Sequence, residues 1–329
     1  MISLVTGASG FVGSHLVRAL VAHGECVRVL ARPTSNLTAI ENLPFERATG
    51  DVRDRASLEA ALEGVKCVYH VAADYRLWAR HPEEIYQSNV EGTHNLLQAA
   101  RAAGVERFVH TSTVGTVVSP RVQGLPDENA RPLLAEMVGH YKRSKFLAEL
   151  EALRAAQAGL PVVVVNPTTP IGPGDWKPTP TGRMIVDFLN GKIPAYVDTG
   201  LNIVAVEDVA EGHILAAERG RVGERYLLGG RNMTLKEIFT VLAEFSGRPV
   251  PRWKIPHTVA LAAAYVENTI AALFGDPPQI PLEGVRMARH KMWVDASKAV
   301  RELGFKPGPA EDALRRAAQW YIERGYARG

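Results

Sequence analysis

Tyr141 and Lys145 are four residues apart in Tyr141-Lys142-Arg143-Ser144-Lys145, so a helix carries both on one face. A phenol with a pKa of about 10 exchanges protons poorly at neutral pH, and a nearby ammonium stabilises the phenolate. Upstream, Thr111-Ser112-Thr113 closes an apolar run, where a hydroxyl can polarise a substrate carbonyl. Near the start of the chain, Gly7, Gly10 and Gly13 form G-x-x-G-x-x-G, with Ser9, Phe11 and Val12 in the same turn. Glycines placed after a strand and before a helix let backbone approach a pyrophosphate, which the helix N-terminus meets with free N–H groups. The end of the second strand then distinguishes the dinucleotides, because an acid there holds the ribose hydroxyls of NAD. This chain has Leu30-Ala31-Arg32 instead. A guanidinium without a competing carboxylate predicts NADP, with NAD possible and an ordinary turn arginine as the alternative.

The elements that must position these groups alternate in type. Strands are expected at Ser3–Thr6, Cys26–Ala31, Lys66–Val71, Arg107–Thr111 and Val162–Val165. Helices are expected at Phe11–His23, Ala56–Leu62, Val90–Ala103 and Tyr141–Gln157. Strands that are apolar throughout, separated by helices, predict an α/β fold with a doubly wound parallel sheet covered on both faces. From Asn166 prolines accumulate, and Asn166–Gly182 reads mostly as loop. Ile203–Val206 and Arg225–Leu228 read as returns to the sheet, with a helix over Val209–Arg219 between them. The expected division is therefore 1–166 plus 203–229 for the dinucleotide, and 167–202 plus 230–329 as a smaller, interleaved substrate domain.

Composition narrows the classes. The 329 residues are 46% hydrophobic and 22% charged, as in an ordinary globular chain. With 38 Lys+Arg against 35 Asp+Glu, the net charge of +3 is too small over this length to argue for an anionic membrane or a nucleic acid, and no nucleic-acid partner is expected. Cys26 and Cys67 lie in apolar runs and read as buried free thiols. No basic segment precedes the first strand, so a cytoplasmic protein without a leader is expected. Thr258–Phe274 is too short to span a bilayer and reads as a buried helix, with a helix lying on a membrane surface as the alternative. The histidines show no metal-binding spacing, and His70 and His110 read as packed strand ends. Tyr75, Trp78, His140 and Met184, with Trp176 and Phe188, are candidates for lining a pocket for a small-molecule substrate. The run from Arg286 to Lys291 reads as a solvated helix face or a site for a substrate phosphate.

Over nearly its whole length the sequence resembles the extended short-chain dehydrogenase/reductase family, which has a Rossmann fold. The resemblance is carried by TGASGFVG (Thr6–Gly13), GDVRD (Gly50–Asp54), HVAA (His70–Ala73), NVEGT (Asn89–Thr93), TST (Thr111–Thr113), YKRSK (Tyr141–Lys145) and DASKAVRELGFKP (Asp295–Pro307). Within the family it is similar to the dihydroflavonol reductase-like branch and to bacterial hopanoid-associated sugar epimerases, through HVAADYRLWA, HYKRSKFLAE and PTPTGRMIVDFLNGKIPAYVDTGLN. The resemblance implies Tyr141 as general acid/base, Lys145 on the nicotinamide ribose, and Thr113 as the catalytic hydroxyl with Ser112 second. It further implies Asp51 and Val52 beside the adenine, Ala72 and Ala73 along the cofactor, Asn89 behind the site, and Pro167 and Thr168 at the nicotinamide amide. A homodimer through the helices at 90–103 and 141–157 is expected, with Leu96, Leu97, Phe146 and Leu150 available for contact. The activity expected is an NADP-dependent reductase of a carbonyl/alcohol pair, in hopanoid or isoprenoid-lipid metabolism. The alternative is a sugar-nucleotide epimerase or dehydratase, since the missing acid at Ala31-Arg32 departs from the NAD-holding epimerases.

Overall fold

The computed structural model describes residues 1–119, 121–122, 124–274, 278 and 281–327. Pro120 and Gln123 lie outside the described residues. In chain order the strands of the first half are β1 (Ile2–Thr6), β2 (Cys26–Ala31), β3 (Glu46–Thr49), β4 (Cys67–His70), β5 (Arg107–Thr111) and β6 (Val162–Pro167). There follow β7 (Thr169–Ile171), β8 (Ala195–Tyr196), β9 (Gly200–Ala205), β10 (Arg225–Leu228), β11 (Arg231–Thr234) and β12 (Trp253–Lys254). The helices are α1 (Phe11–Ala22), α2 (Arg55–Ala61), α3 (Glu83–Tyr86), α4 (Gly92–Ala102), α5 (Gly139–Gln157) and α6 (Pro180–Leu189). The later ones are α7 (Val206–Arg219), α8 (Leu235–Ser246), α9 (His257–Phe274), α10 (Leu282–Met287), α11 (Ser297–Leu303) and α12 (Ala310–Glu323).

Seven strands form one sheet in the order β10-β6-β5-β4-β1-β2-β3, with every pairing parallel. Helices cover both faces, which is why Val162–Val165 can be valine throughout and wholly buried. Leu16, Val17 and Leu20 of α1 pack with Val209 and Ile214 of α7 and Leu303 of α11 on one face. Leu58 of α2, Leu96 and Leu97 of α4 and Ala152 of α5 cover the other. The order reverses between β1 and β4, so a crevice opens at their carboxyl ends. This is the doubly wound Rossmann architecture that the sequence predicts.

Several expectations need correction. β3 was not foreseen, because Glu46-Arg47-Ala48-Thr49 is a polar edge strand without an apolar run. The strand expected at 203–206 is β9, and it joins β7 and β11 in a separate three-stranded sheet. Its residues serve two cores: Val204 packs into the main one, while Ile203 and Ala205 face Phe188, Phe239 and Leu314. Leu96 and Leu97 are sealed inside the chain and cannot serve a dimer contact. Cys67 is buried, with its thiol pushed up to about 12, whereas Cys26 is exposed at the start of β2. The helix at 257–274 forms as predicted, but Val259, Tyr265, Val266, Ile270, Leu273 and Phe274 face solvent rather than a core.

Candidate active site

The glycine turn is shaped by close approach. Gly7 has φ +74°, and a Cβ there would lie 2.6 Å from the Ala72 backbone N, so only glycine lets the β1 turn sit against the end of β4. A Cβ on Gly13 would come within 2.2 Å of the Gly7 carbonyl oxygen. Gly10 is the N-cap of α1 and offers no side chain to the free N–H groups, and Ser9 and Gly10 are exposed at the tip. Thr6 Oγ1 accepts from the Ala72 N–H at 3.2 Å and pairs with His70 Nδ1 at 2.8 Å, which ties the two strand ends together. Phe11 and Val12 are half-buried at the start of α1, and Ala73 follows Ala72 along the crevice. A cradle stripped of side chains above a helix N-terminus fits a dinucleotide pyrophosphate.

At the end of β2, Arg32 is exposed, and its guanidinium makes no hydrogen bond or ion pair among the described residues. Arg47, on the unforeseen β3, donates to the Arg32 and Pro33 carbonyls at 3.0 and 3.3 Å and so fixes the turn. The nearest acid identified in the sequence, Asp51, pairs with Arg53 at 2.7 Å, and that bond holds its carboxyl below the usual range. Val52 packs against Gly92, where a Cβ would lie 2.7 Å from its methyl.

Across the crevice, α5 presents Tyr141 and Lys145 to the end of β5. Lys145 is buried and donates to the Thr111 carbonyl at 2.6 Å. Burial pushes its ammonium down to about 8, and Glu149 opposes that fall. Burial also pushes the Tyr141 phenol up, while hydrogen bonding with the Thr113 hydroxyl pulls it back. Thr113 is therefore the hydroxyl that acts on Tyr141. Lys145 is turned to Thr111 and is not among the groups tuning the phenol here. Ser112 is buried with its hydroxyl toward Thr116 at 3.4 Å, which leaves Thr113 as the triplet member beside Tyr141.

Sequence reading missed the scaffold beneath this pair. Glu149 accepts from Thr116 Oγ1 at 2.7 Å, Asn166 Nδ2 at 2.8 Å and Arg225 Nη1 at 3.0 Å, all buried. Asn166 Nδ2 also donates to the Thr113 carbonyl at 3.1 Å. Arg225 spends its other nitrogen on the Glu128 and Ala130 carbonyls. The available signal was spacing, since Tyr141, Lys145 and Glu149 recur every four residues. Lys142 is also buried, with its ammonium pushed down to about 8 and in contact with the Met292 sulfur at 3.8 Å.

The remaining candidates divide. Asn89 is buried and bonds to the Asp74 backbone and to Ser144 Oγ, clamping the β4 loop to α5. Pro167 ends β6 and Thr168 follows it, with the Thr168 N–H on the Leu228 carbonyl. His140 pairs with the Tyr86 hydroxyl at 3.2 Å, and its N–H donates to Glu283 at 3.0 Å. Tyr75 has its phenol pushed up by burial and by Asp175 and Asp74, and Trp78 is half-buried nearby in sequence. Met184 packs on the second hydrophobic core, where Phe188 stacks on Phe239, while Trp176 sits edge-on to Trp320. His70 bonds to Thr6 and Thr93, as a packed histidine should.

A sequence model of the NAD dependent epimerase/dehydratase family matches residues 3–229. The chain belongs to that family. It is thus an extended short-chain dehydrogenase/reductase, a family of nicotinamide-dependent reductases, epimerases and dehydratases. A Synechocystis sp. protein with the provisional name dihydroflavonol 4-reductase is 44% identical over 98% of this chain and 95% of its own length. Sterol demethylase protein B of Methylococcus capsulatus is 38% identical over 99% of both chains. Among solved structures, gox2253 is 44% identical with a TM-score of 0.89, covering 99% of each chain. The dTDP-glucose 4,6-dehydratase DesIV of Streptomyces venezuelae, solved with NAD, is 29% identical with a TM-score of 0.79, again over 99% of each chain.

Proposed function

We propose that this family member is a reductase that takes up and releases NADP(H) and acts on a carbonyl/alcohol pair of an apolar, isoprenoid- or hopanoid-type molecule. The observation that carries the reading is the free Arg32 guanidinium at the end of β2, with Asp51 already neutralised by Arg53. A 2′-phosphate finds a cation there, and the Asp51 carboxylate that Arg32 also feels is already paired with Arg53. The similarity to proteins named as a dihydroflavonol reductase and a sterol demethylase component supports an apolar substrate.

When bound, the dinucleotide supplies hydride exchange at its nicotinamide ring. In this reading Gly7, Ser9, Gly10, Phe11, Val12 and Gly13 hold the pyrophosphate, Asp51 and Val52 flank the adenine, and Ala72 and Ala73 line the path. Pro167 and Thr168 meet the nicotinamide amide. Thr113 donates to the substrate carbonyl oxygen, and Tyr141 delivers its phenolic proton to that oxygen in the reductive direction. Lys145 holds the ribose, Asn89 keeps the β4 loop in place, and Tyr75, Trp78, His140 and Met184 bound the substrate. A homodimer through α4 and α5 belongs to the same reading. Half-buried Phe146 and Leu150 are its apolar contacts, checked by light scattering. Free thiols and the absence of disulfides among the described residues suit a reducing, cytoplasmic setting.

A second reading, a sugar-nucleotide epimerase or dehydratase, draws on the family model and on DesIV. One experiment separates them: the purified protein is denatured and assayed for released dinucleotide, and NADPH absorbance is followed with a panel of carbonyl compounds. The reductase reading expects little retained dinucleotide and net NADPH consumption. Stoichiometric retained NAD, with isomerisation or dehydration and no net absorbance change, would overturn it.

A further inference from the structure

The helix α9 has its polarity reversed. A surface helix normally turns its large apolar residues inward, yet the residues α9 buries are the small Ala264 and Ala271. Val259, Val266, Ile270 and Leu273 follow at intervals of seven, four and three, which is one helix face, and all four are exposed. Leu273 and Phe274 at the C-terminal end are 76% and 77% accessible, and Tyr265 flanks the stripe. Cations border it. The Arg286 guanidinium lies 5.5 Å over the Tyr265 ring and donates to its hydroxyl at 2.7 Å. Arg289 shares a surface cleft with His257 at the start of α9 and with Lys254, which pairs with Asp198. From Arg252 to Lys291 there are five Lys/Arg against three Asp/Glu, and of those acids Glu283 is turned inward onto the His140 N–H.

We propose that α9 is an interfacial docking surface for an anionic lipid bilayer, with its stripe in the acyl boundary and Arg286 and Arg289 at the headgroups. An apolar face edged by arginines and a tyrosine matches that boundary, where long cationic side chains reach back to the headgroups. A second copy is the other occupant an apolar stripe could take, and an antiparallel two-fold contact would set the Arg286 rim against its own copy. No helix among the described residues is long and apolar enough to cross a membrane, so the attachment is to one surface. The helix is also linked to the candidate active site through α10. His257 Nε2 bonds to the Val285 carbonyl on α10 at 2.7 Å, and Glu283 of α10 holds the backbone next to Tyr141.

The test uses the whole chain with sedimenting vesicles of phosphatidylcholine, alone or mixed with phosphatidylglycerol. The wild type should sediment with the mixed vesicles and be released by added salt, because the rim attraction is screened. Val266→Glu/Leu273→Glu should weaken partitioning roughly tenfold or more, with the circular dichroism spectrum and dinucleotide binding retained. Arg286→Glu/Arg289→Glu should lose the preference for the anionic vesicles, and it tests the proposal even if the apolar pair fails to fold. Failure of the wild type to sediment with mixed vesicles would overturn the proposal, as would wild-type binding by a folded Val266→Glu/Leu273→Glu protein. Conversion of a dimer to a monomer by that variant, without wild-type vesicle binding, would assign the face to self-association instead. None of these readouts depends on the reaction catalysed.

Discussion

Replacing Arg32 tests the cofactor preference at its source. The guanidinium is exposed and unpaired, so Arg32→Ala removes it without breaking an internal contact. A charge-assisted bond to phosphate contributes about 1.5–3 kcal/mol, or roughly ten- to a hundredfold in affinity. Exposure lets salt screen the pair, so about tenfold is the expected loss near physiological ionic strength. Arg47 does not compensate, because it is committed to the Arg32 and Pro33 carbonyls. Binding is read by fluorescence titration with NADPH and NADH in parallel. Arg32→Ala should weaken NADPH by that factor and leave NADH nearly unchanged. Arg32→Asp should reverse the order by repelling the phosphate and accepting from the free ribose. An acid one position earlier is a poor alternative, since Ala31 is buried in the main core. Equal weakening of both dinucleotides, or a wild type that binds NADH as tightly as NADPH, would refute the reasoning.

Tyr141→Phe should keep dinucleotide affinity and lose turnover by roughly a hundred- to ten-thousandfold, because only the transferable proton is removed; steady-state assays check this. Lys142→Met should stabilise the protein. The folded ammonium sits at about 8 against 10.5 in the open chain, so its burial opposes folding by at most about 3 kcal/mol below pH 8. The gain should fade as the pH rises from about 8 toward 10.5, where the unfolded lysine also loses its proton, as urea melts across that range would show. Glu149→Gln leaves Arg225 buried without its counter-charge and should destabilise by about 3 kcal/mol, with Glu149→Gln/Arg225→Met partly recovering the loss in the same melts.

What the sequence revealed follows from what periodicity and spacing can encode. Strands buried on both faces must be apolar throughout, so β1, β2, β4, β5 and β6 were legible within a residue or two. The glycine turn was legible because Gly7 and Gly13 face backbone at distances no side chain tolerates. Tyr141 and Lys145 were legible because one helix carries both. Partners distant in sequence left no such trace. Arg225 lies 76 residues from Glu149, and Arg47 reaches the β2 turn from a strand with no apolar signature. The expected burial of α9 fails for a different reason: apolar residues also occupy exposed faces, so hydrophobicity alone does not specify burial. Leu96 and Leu97 show the converse, since a helix pattern cannot say which apolar positions its own sheet consumes.

The distant partners bear directly on the chemistry. Burial drives the Tyr141 phenol up and the Lys145 ammonium down, so an isolated tyrosinate–ammonium pair is disfavoured in this arrangement. What opposes that drift is held in place from outside α5. Glu149 supports the Lys145 charge, and Arg225 from β10 pairs with that buried carboxylate at 3.0 Å. Asn166 from β6 joins the same carboxylate to the Thr113 carbonyl, fixing the backbone beside the phenol's partner. In the proposed reading the helix supplies the tyrosine–lysine spacing, while the charges around Lys145 depend on two later strands of the same sheet. This is a physical reason for β10 to return to that sheet. Without it, the carboxylate beneath Lys145 would lack its arginine, and burial alone would set both pKa values against ionisation.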